Sequence, residues 1–300
     1  MVVPTVVSAQ NDLRMRTSGM NIARSLWSRM ETIHAVTYFG PESAEAATAA
    51  GLSSFWMGYF GFRAAPMGPV EAGVVEATFF NFAPGFVQRW VPHLWQHATP
   101  PALIGARSAA AAATLTRLYS EVADVARHVN PTLEVAVGRA VAAGRPLFAA
   151  NRLLPCPDDP TAALWHWCTC LREHRGDGHV SALTASGLDG LQAHILIATE
   201  QGNSPEDLQR TRGWTAPEWD EAVQRCTKDG LIAVGTLTAR GHELRSSIEA
   251  TTDRLALAPF AALTPAQLHA LIDALHPLAQ AISTSGTIRY PNPMGLSAIA

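Results

Sequence analysis

The chain is short of charge. Only 16 % of its 300 residues are Asp, Glu, Lys or Arg, against about 25 % in ordinary soluble domains. With 48 % apolar residues, that composition excludes disorder over most of the length. A net charge of −3 and 22 scattered basic residues exclude the dense cationic face that a polyanion partner demands. Four cysteines are present, Cys156, Cys168, Cys170 and Cys226, and none forms a CxxC pair. Cys168 and Cys170 stand two apart in a helical stretch and point away from each other, so no zinc signature is spelled out. They read as buried small apolar groups in a reducing compartment. No apolar run reaches the ~18 residues of a membrane span. The first ten residues lack the basic segment of a secretory signal. These absences predict a cytoplasmic protein with no membrane partner. Phosphate loops, GxGxxG, GxSxG and HExxH are missing too, which leaves any cofactor unknown and any reaction unspecified.

What the chain does have is helical periodicity. Its length suits one large domain or two of about 150 residues. Residues 21–34 place Ile22, Leu26, Met30 and Ile33 at helical spacing. Residues 53–62, with Phe55, Trp56, Met57, Tyr59, Phe60 and Phe62, are apolar on every side, which predicts a buried helix or a pocket wall. Residues 70–78 and 84–95 form two short helices about a tight turn, a helix-turn-helix unit. An Ala-rich helix is predicted from Pro100 to 129, and another from Pro131 to 142. Pro155, Pro157 and Pro160 mark a boundary between halves. Beyond it, a helix over 161–173 is expected to end at Gly176, with Asp177 capping a new helix over 178–186. A helix over 188–199 follows. Ser204 caps a short helix, residues 217–229 complete a second helix-turn-helix, and residues 230–238 read as a clipped β-wing. Helices over 239–257 and 265–282 close the fold. Residues 1–19 read as a loose extension and residues 290–300 as a Pro-rich arm.

The halves echo each other. Ala46-Ala-Thr-Ala-Ala-Gly-Leu52 aligns with Ala182-Leu-Thr-Ala-Ser-Gly-Leu188. At nearly the same spacing, Phe82-Ala-Pro-Gly-Phe86 aligns with Thr215-Ala-Pro-Glu-Trp219. Matches in the same order point to duplication. The expected fold is mainly α: two tandem winged-helix halves, residues 20–150 and 151–289, paired within one chain as a pseudo-dimer, with at most a short β-wing.

Long motifs carry a resemblance. Residues 34–42 (His-Ala-Val-Thr-Tyr-Phe-Gly-Pro-Glu), 55–60 (Phe-Trp-Met-Gly-Tyr-Phe), 172–179 (Arg-Glu-His-Arg-Gly-Asp-Gly-His), 209–214 (Gln-Arg-Thr-Arg-Gly-Trp) and 290–296 (Tyr-Pro-Asn-Pro-Met-Gly-Leu) resemble the actinobacterial SalK-like helix-turn-helix family. The second half is also similar to the winged-helix region of MarR-type regulators. The likeness spans residues 20–296. It implies the fold and an association with specialised-metabolite gene clusters, and it implies no known reaction.

Recognition helices read bases with their N-terminal residues, in the negative field of the phosphates. Here the second-half candidate opens Pro217-Glu-Trp-Asp-Glu-Ala222, three carboxylates, with Arg225 and Lys228 only further along. The first-half counterpart offers Arg89 among large apolar groups. Residues 231–238 contain no basic side chain, where MarR-type wings carry an arginine. Nucleic acid is therefore not the expected partner.

The densest polar cluster is residues 172–179, expected on a turn between helices. Three readings are open. Asp177, His174 and Arg175 can serve as helix caps. They can form a small-molecule site, Arg172 or Arg175 clamping an anion and His174 or His179 moving a proton. Or His34, His174, His179 and a carboxylate can hold a metal, although their spacing fits no standard signature. The expected function is a scaffold that has lost DNA binding and that binds a small apolar or aromatic metabolite, with residues that could also transform it. His174, Arg175, Asp177 and His179 are the candidate catalytic residues. His34, Tyr38, Trp56, Tyr59, Arg172 and Tyr290 are the candidate ligand-binding ones, with no metal assigned. The alternative is a MarR-like ligand-responsive transcriptional regulator. Oligomeric state stays open between monomer and dimer.

Overall fold

The structure, a computed structural model, describes residues 6–290, 292 and 294–299, with side chains from Ile22 onward. The expected loose extension, residues 1–19, lies outside this set except for the backbone of 6–19, which belongs to the first helix. The first half runs α1 (Val6–Phe39), α2 (Pro41–Ala49), α3 (Phe55–Ala64), a 3-10 turn, α4 (Ala72–Phe79), α5 (Pro84–His97), α6 (Pro100–Leu118) and α7 (Val122–Arg139). After the short α8 (Pro146–Arg152) come α9 (Pro160–Ala185), α10 (Gly190–Gln201), α11 (Pro205–Arg212) and α12 (Ala216–Lys228). A hairpin follows, β1 (Ile232–Ala233) with β2 (Thr236–Leu237), then α13 (Ala239–Leu257) and α14 (Pro265–Thr284). The protein is mainly helical, and its small sheet pairs Ile232 with Leu237 and Ala233 with Thr236.

Local chemistry fixes most of these ends. Ser204 and Thr238 accept backbone N–H bonds at the starts of α11 and α13. Asp189, Thr215 and Thr264 form reciprocal capping boxes with Gln192, Glu218 and Gln267 at the starts of α10, α12 and α14. Each cap is worth roughly 1 kcal/mol.

Two expectations need correction. The Ala-rich helix breaks at Tyr119–Glu121, not at Pro131, which sits inside α7. Pro131 removes one donor, and packing of Val129, Leu133 and Val137 into the core offsets that loss. Nor is there a turn at residues 174–179: α9 is one continuous helix of 26 residues.

Three cores follow from this order. The largest joins α1, α6, α7, α8, α9 and α14 around Leu26, Ile33, Leu133, Phe148, Trp165 and Leu275. Here α1 packs on α14 while α9 packs on α7. An aromatic core, with Phe60, Phe79, Phe82 and Phe86, fills a lobe made of α2 to α5. The third, with Leu191, Ile195, Trp219 and Cys226, fills a lobe made of α10 to α12 and the hairpin. A fully buried side chain such as Phe60 contributes about 2–3 kcal/mol.

The lobes meet turn against turn. The Ala83 N–H donates to the Arg212 carbonyl (2.9 Å). Trp214 Nε1 donates to the Asn81 carbonyl (3.1 Å). Trp214 packs against both lobe cores. A Cβ on Gly190 would lie 2.1 Å from the Phe80 carbonyl oxygen, so only glycine allows that approach.

Candidate ligand cavity

Helix geometry turns 100° per residue, so the continuity of α9 divides the predicted cluster between two faces. Arg172, Arg175, Gly176, His179 and Leu183 fall on one face and line a cavity of about 400 Å³ between the two lobes and the α1/α9 pair. That volume is in the range of small-molecule sites. His174 and Asp177 fall on the other face. His174 packs edge-on against Phe148 (5.0 Å), its Nδ1 has no partner, and burial followed by the Arg145 charge pushes its pKa down to about 3. Asp177 accepts the Phe148 backbone N–H (2.9 Å), and burial pushes its carboxyl up to about 7. Asp177 is therefore mid-helix rather than an N-cap, and neither Gly176 nor His174 serves a helix C-terminus.

Among the other predicted residues, Tyr59 reaches this cavity. Trp56 is enclosed by Tyr59, Phe60, Phe82 and Phe86. His34 is buried, stacked on Trp165. Tyr38 lines a separate cavity of the first half. Tyr290 bonds Ser283 Oγ (3.0 Å), and among the described residues of the arm Met294 and Gly295 reach the cavity. Among the described residues no three His, Cys, Asp or Glu side chains are grouped to hold a metal ion.

The cavity wall combines aromatic surface with arginine. Trp27, Tyr59, Phe79 and Phe82 supply the rings. The chain has a single lysine, Lys228, so cation chemistry falls to guanidinium groups, which are planar and bind carboxylates bidentately. Glu173, 1 % exposed, is held by Arg63 Nε (3.1 Å) and Arg172 Nη1 (2.9 Å). Burial opposes its ionisation, but the two arginines keep its carboxyl well below the usual range. Arg172 also binds Glu31 (3.1 Å). Arg24 and Arg175 share Glu249 and Asp253, and Arg245 pairs with Glu200 (2.7 Å). Each of these carboxylates is thus matched.

Arg212 is different. It lines the cavity, lies over the Phe82 ring (4.9 Å) and donates to the neighbouring Thr211 carbonyl (3.1 Å). It has no carboxylate partner among the described residues, and burial lowers its pKa. Beside it His194 is 3 % exposed with Nε2 unpaired. Burial, then Arg212, takes its pKa down to about 3.

His179 contributes a base. Thr252 Oγ1 donates its one hydrogen to the Ile248 carbonyl (2.8 Å), so it accepts from His179 Nδ1 (2.9 Å). That assigns the hydrogen to Nδ1 and leaves Nε2 bare. Burial lowers the His179 pKa to about 4, so the ring is neutral at pH 7. Sequence reasoning missed Arg63, Arg212, His194 and Trp27. Only Arg212 carried a signal, standing between a predicted helix and the turn glycine.

A family model described as a helix-turn-helix family matches residues 23–289. The chain belongs to that helix-turn-helix family. No curated protein and no solved structure matches it. The turn between α4 and α5 and the turn between α11 and α12 are the segments that touch each other. No single described helix is long and apolar enough to cross a membrane.

Proposed function

We propose that this protein binds a small aromatic anion in the cavity between its lobes, and that its helix-turn-helix units no longer read DNA. The observation that carries the first part is Arg212: a guanidinium without a carboxylate partner among the described residues, in a cavity where every other lining arginine is matched and the walls are aromatic. A carboxylate or phenolate on an aromatic body completes both features. His179 lines the same cavity, and its Nε2 is the proton acceptor for any transformation of that molecule.

The second part rests on the contact between the turns. DNA-reading dimers set their recognition helices about 34 Å apart, one helical repeat. Here the turn before α5 is bonded to the turn before α12, and α12 opens with exposed Glu218, Asp220 and Glu221. We read the scaffold as a tandem MarR-like, SalK-like pseudo-dimer. Supporting this, α3, α4 and α5 recur in order as α10, α11 and α12, and the partners of α1 and α9 are exchanged between halves.

Calorimetric titration with 2-naphthoate tests the reading. Arg212→Met should weaken binding ten- to a hundredfold, the weight of a hydrogen bond to a charged group at about 1.5–3 kcal/mol, with an unchanged melting curve. Equal affinity in the variant would refute it. A gel-shift on the DNA upstream of its own gene covers the other part: salt-sensitive binding below micromolar would restore the regulator.

A further inference from the structure

The first half holds a cavity of its own, about 760 Å³, walled by α2, α3, the end of α1 and residues 285–289. It occupies the position in its half that the arginine-lined cavity occupies in the other. Gly40, Ser43, Ala47, Leu52 and Gly58 line it, and at one constant offset these align with Gly176, His179, Leu183, Leu188 and His194. The chemistry has diverged at the aligned positions: the two histidines are replaced by Ser43 and Gly58. The charges at its rim are Arg117, paired with Glu42, and Arg289, which faces solvent.

Nine hydroxyl-bearing residues border this space, and three of them, Thr37, Tyr38 and Ser43, bear on what it could bind. Tyr38 Oη lies 2.9 Å from His34 Nε2, and His34 Nδ1 lies 2.9 Å from Thr169 Oγ1. Thr169 gives its hydrogen to the Trp165 carbonyl (2.8 Å). His34 therefore donates through Nδ1 and accepts through Nε2, which commits the Tyr38 hydrogen to His34. The Tyr38 oxygen is left as an acceptor only. Thr37 and Ser43, 7 % and 5 % exposed, have hydroxyl oxygens with no partner. A buried, unpaired hydroxyl costs of order 1–3 kcal/mol, so two of them in one wall call for an explanation.

We propose that this cavity is a second binding site, for a neutral aromatic molecule bearing a hydroxyl or N–H donor, which gives its hydrogen to Tyr38 and satisfies Thr37 and Ser43. Tyr38 and Tyr59, with ring centroids 5.2 Å apart, form its aromatic wall. Tyr59 lines both cavities, so the two sites share a partition.

The test uses two probes on the full chain by calorimetry: 2-naphthol, neutral at pH 7, and 2-naphthoate. The expected result is 2-naphthol binding that persists when 2-naphthoate is saturating, and that falls roughly tenfold in Tyr38→Phe, the weight of one hydrogen bond. Thr37→Val should weaken it as well while leaving the melting temperature unchanged or raised, because it removes an unpaired buried hydroxyl. Thr37→Val also serves if Tyr38→Phe, which deprives His34 of its partner, fails to fold. Three outcomes would each overturn the proposal: no 2-naphthol binding at millimolar concentration, mutual exclusion of the two probes, or 2-naphthol affinity indifferent to both substitutions.

Discussion

Gly213 stands where Phe86 of the opposite lobe leaves no room for a side chain: a Cβ there would lie 2.3 Å from Phe86 Cβ. The same residue holds φ +81°, the left-handed turn that ends α11. One glycine thus satisfies a turn between α11 and α12 in its own lobe and a close approach to the other lobe. That double requirement ties the local turn to the closure of the lobes.

Substitution separates the two demands. Gly213→Ala should cost about 1 kcal/mol for its positive φ and a further 1–3 kcal/mol for overpacking against Phe86. Gly202→Ala is the control, since Gly202 has φ +70° and nothing within 4 Å of its Cβ position. Thermal unfolding of both variants should show the larger loss at 213. Equal losses would mean that the lobes do not press on each other in solution.

Gly176 carries a prediction of opposite signs. It lies inside α9, where alanine is preferred by up to about 1 kcal/mol, and its added Cβ would meet only Glu173 Oε2 of its own helix, at 3.6 Å. It also lines the arginine cavity. Gly176→Ala should raise the melting temperature slightly and weaken 2-naphthoate binding. A variant that is stabilised and binds as before would show that the ligand does not approach the helix backbone.

How far the sequence foretold all this depends on the range of the interaction. Capping residues and turn glycines act within a few positions, so α11, α12, α13, α14 and the hairpin were legible to within a residue or two. Residues 172–179 were not. Their glycines cost helix propensity locally, but Gly178 leaves room for Arg145: a Cβ there would lie 2.7 Å from Arg145 Nη1, which donates to the His174 carbonyl. That bond joins residues 29 apart, and no window of periodicity contains it. Cys156 likewise escaped, being exposed where burial was expected. Of the predicted site, Arg172, Arg175, His179 and Tyr59 share the arginine-lined cavity because helical spacing aligned the first three. Arg212 and Arg63 came from elsewhere in the chain.

The buried ion network makes a stability prediction. Glu173 is the common partner of Arg63 and Arg172. Glu173→Gln keeps the shape and removes the charge, which leaves two enclosed guanidiniums short of a counterion. Breaking a buried pair costs about 3–5 kcal/mol. Here Glu31 still faces Arg172, so the lower end is expected in urea unfolding. A loss below 1 kcal/mol would mean that water reaches the network freely.

Asp177 gives a pH signature whose sign differs from that of an ordinary carboxylate. Its pKa rises from 3.8 to about 7 on folding, chiefly through burial. The folded state therefore holds a proton that the unfolded chain releases near 3.8. Stability from this group is fully present below 3.8 and is lost as pH climbs from there to 7. His174 and His194 work in the opposite direction. Both fall from 6.5 to about 3 by burial, so they contribute fully above 6.5 and withdraw stability as pH falls toward 3. Over 4–6.5 these slopes oppose each other, and Asp177 masks part of the acid sensitivity. Asp177→Asn keeps an acceptor for the Phe148 N–H and removes the titration. It should melt higher than the parent at pH 8, lose that advantage steadily toward pH 4, and show a steeper fall of stability with acid. Parallel melting curves for the two proteins across pH 4–8 would place the Asp177 carboxyl in contact with solvent and end this account of it.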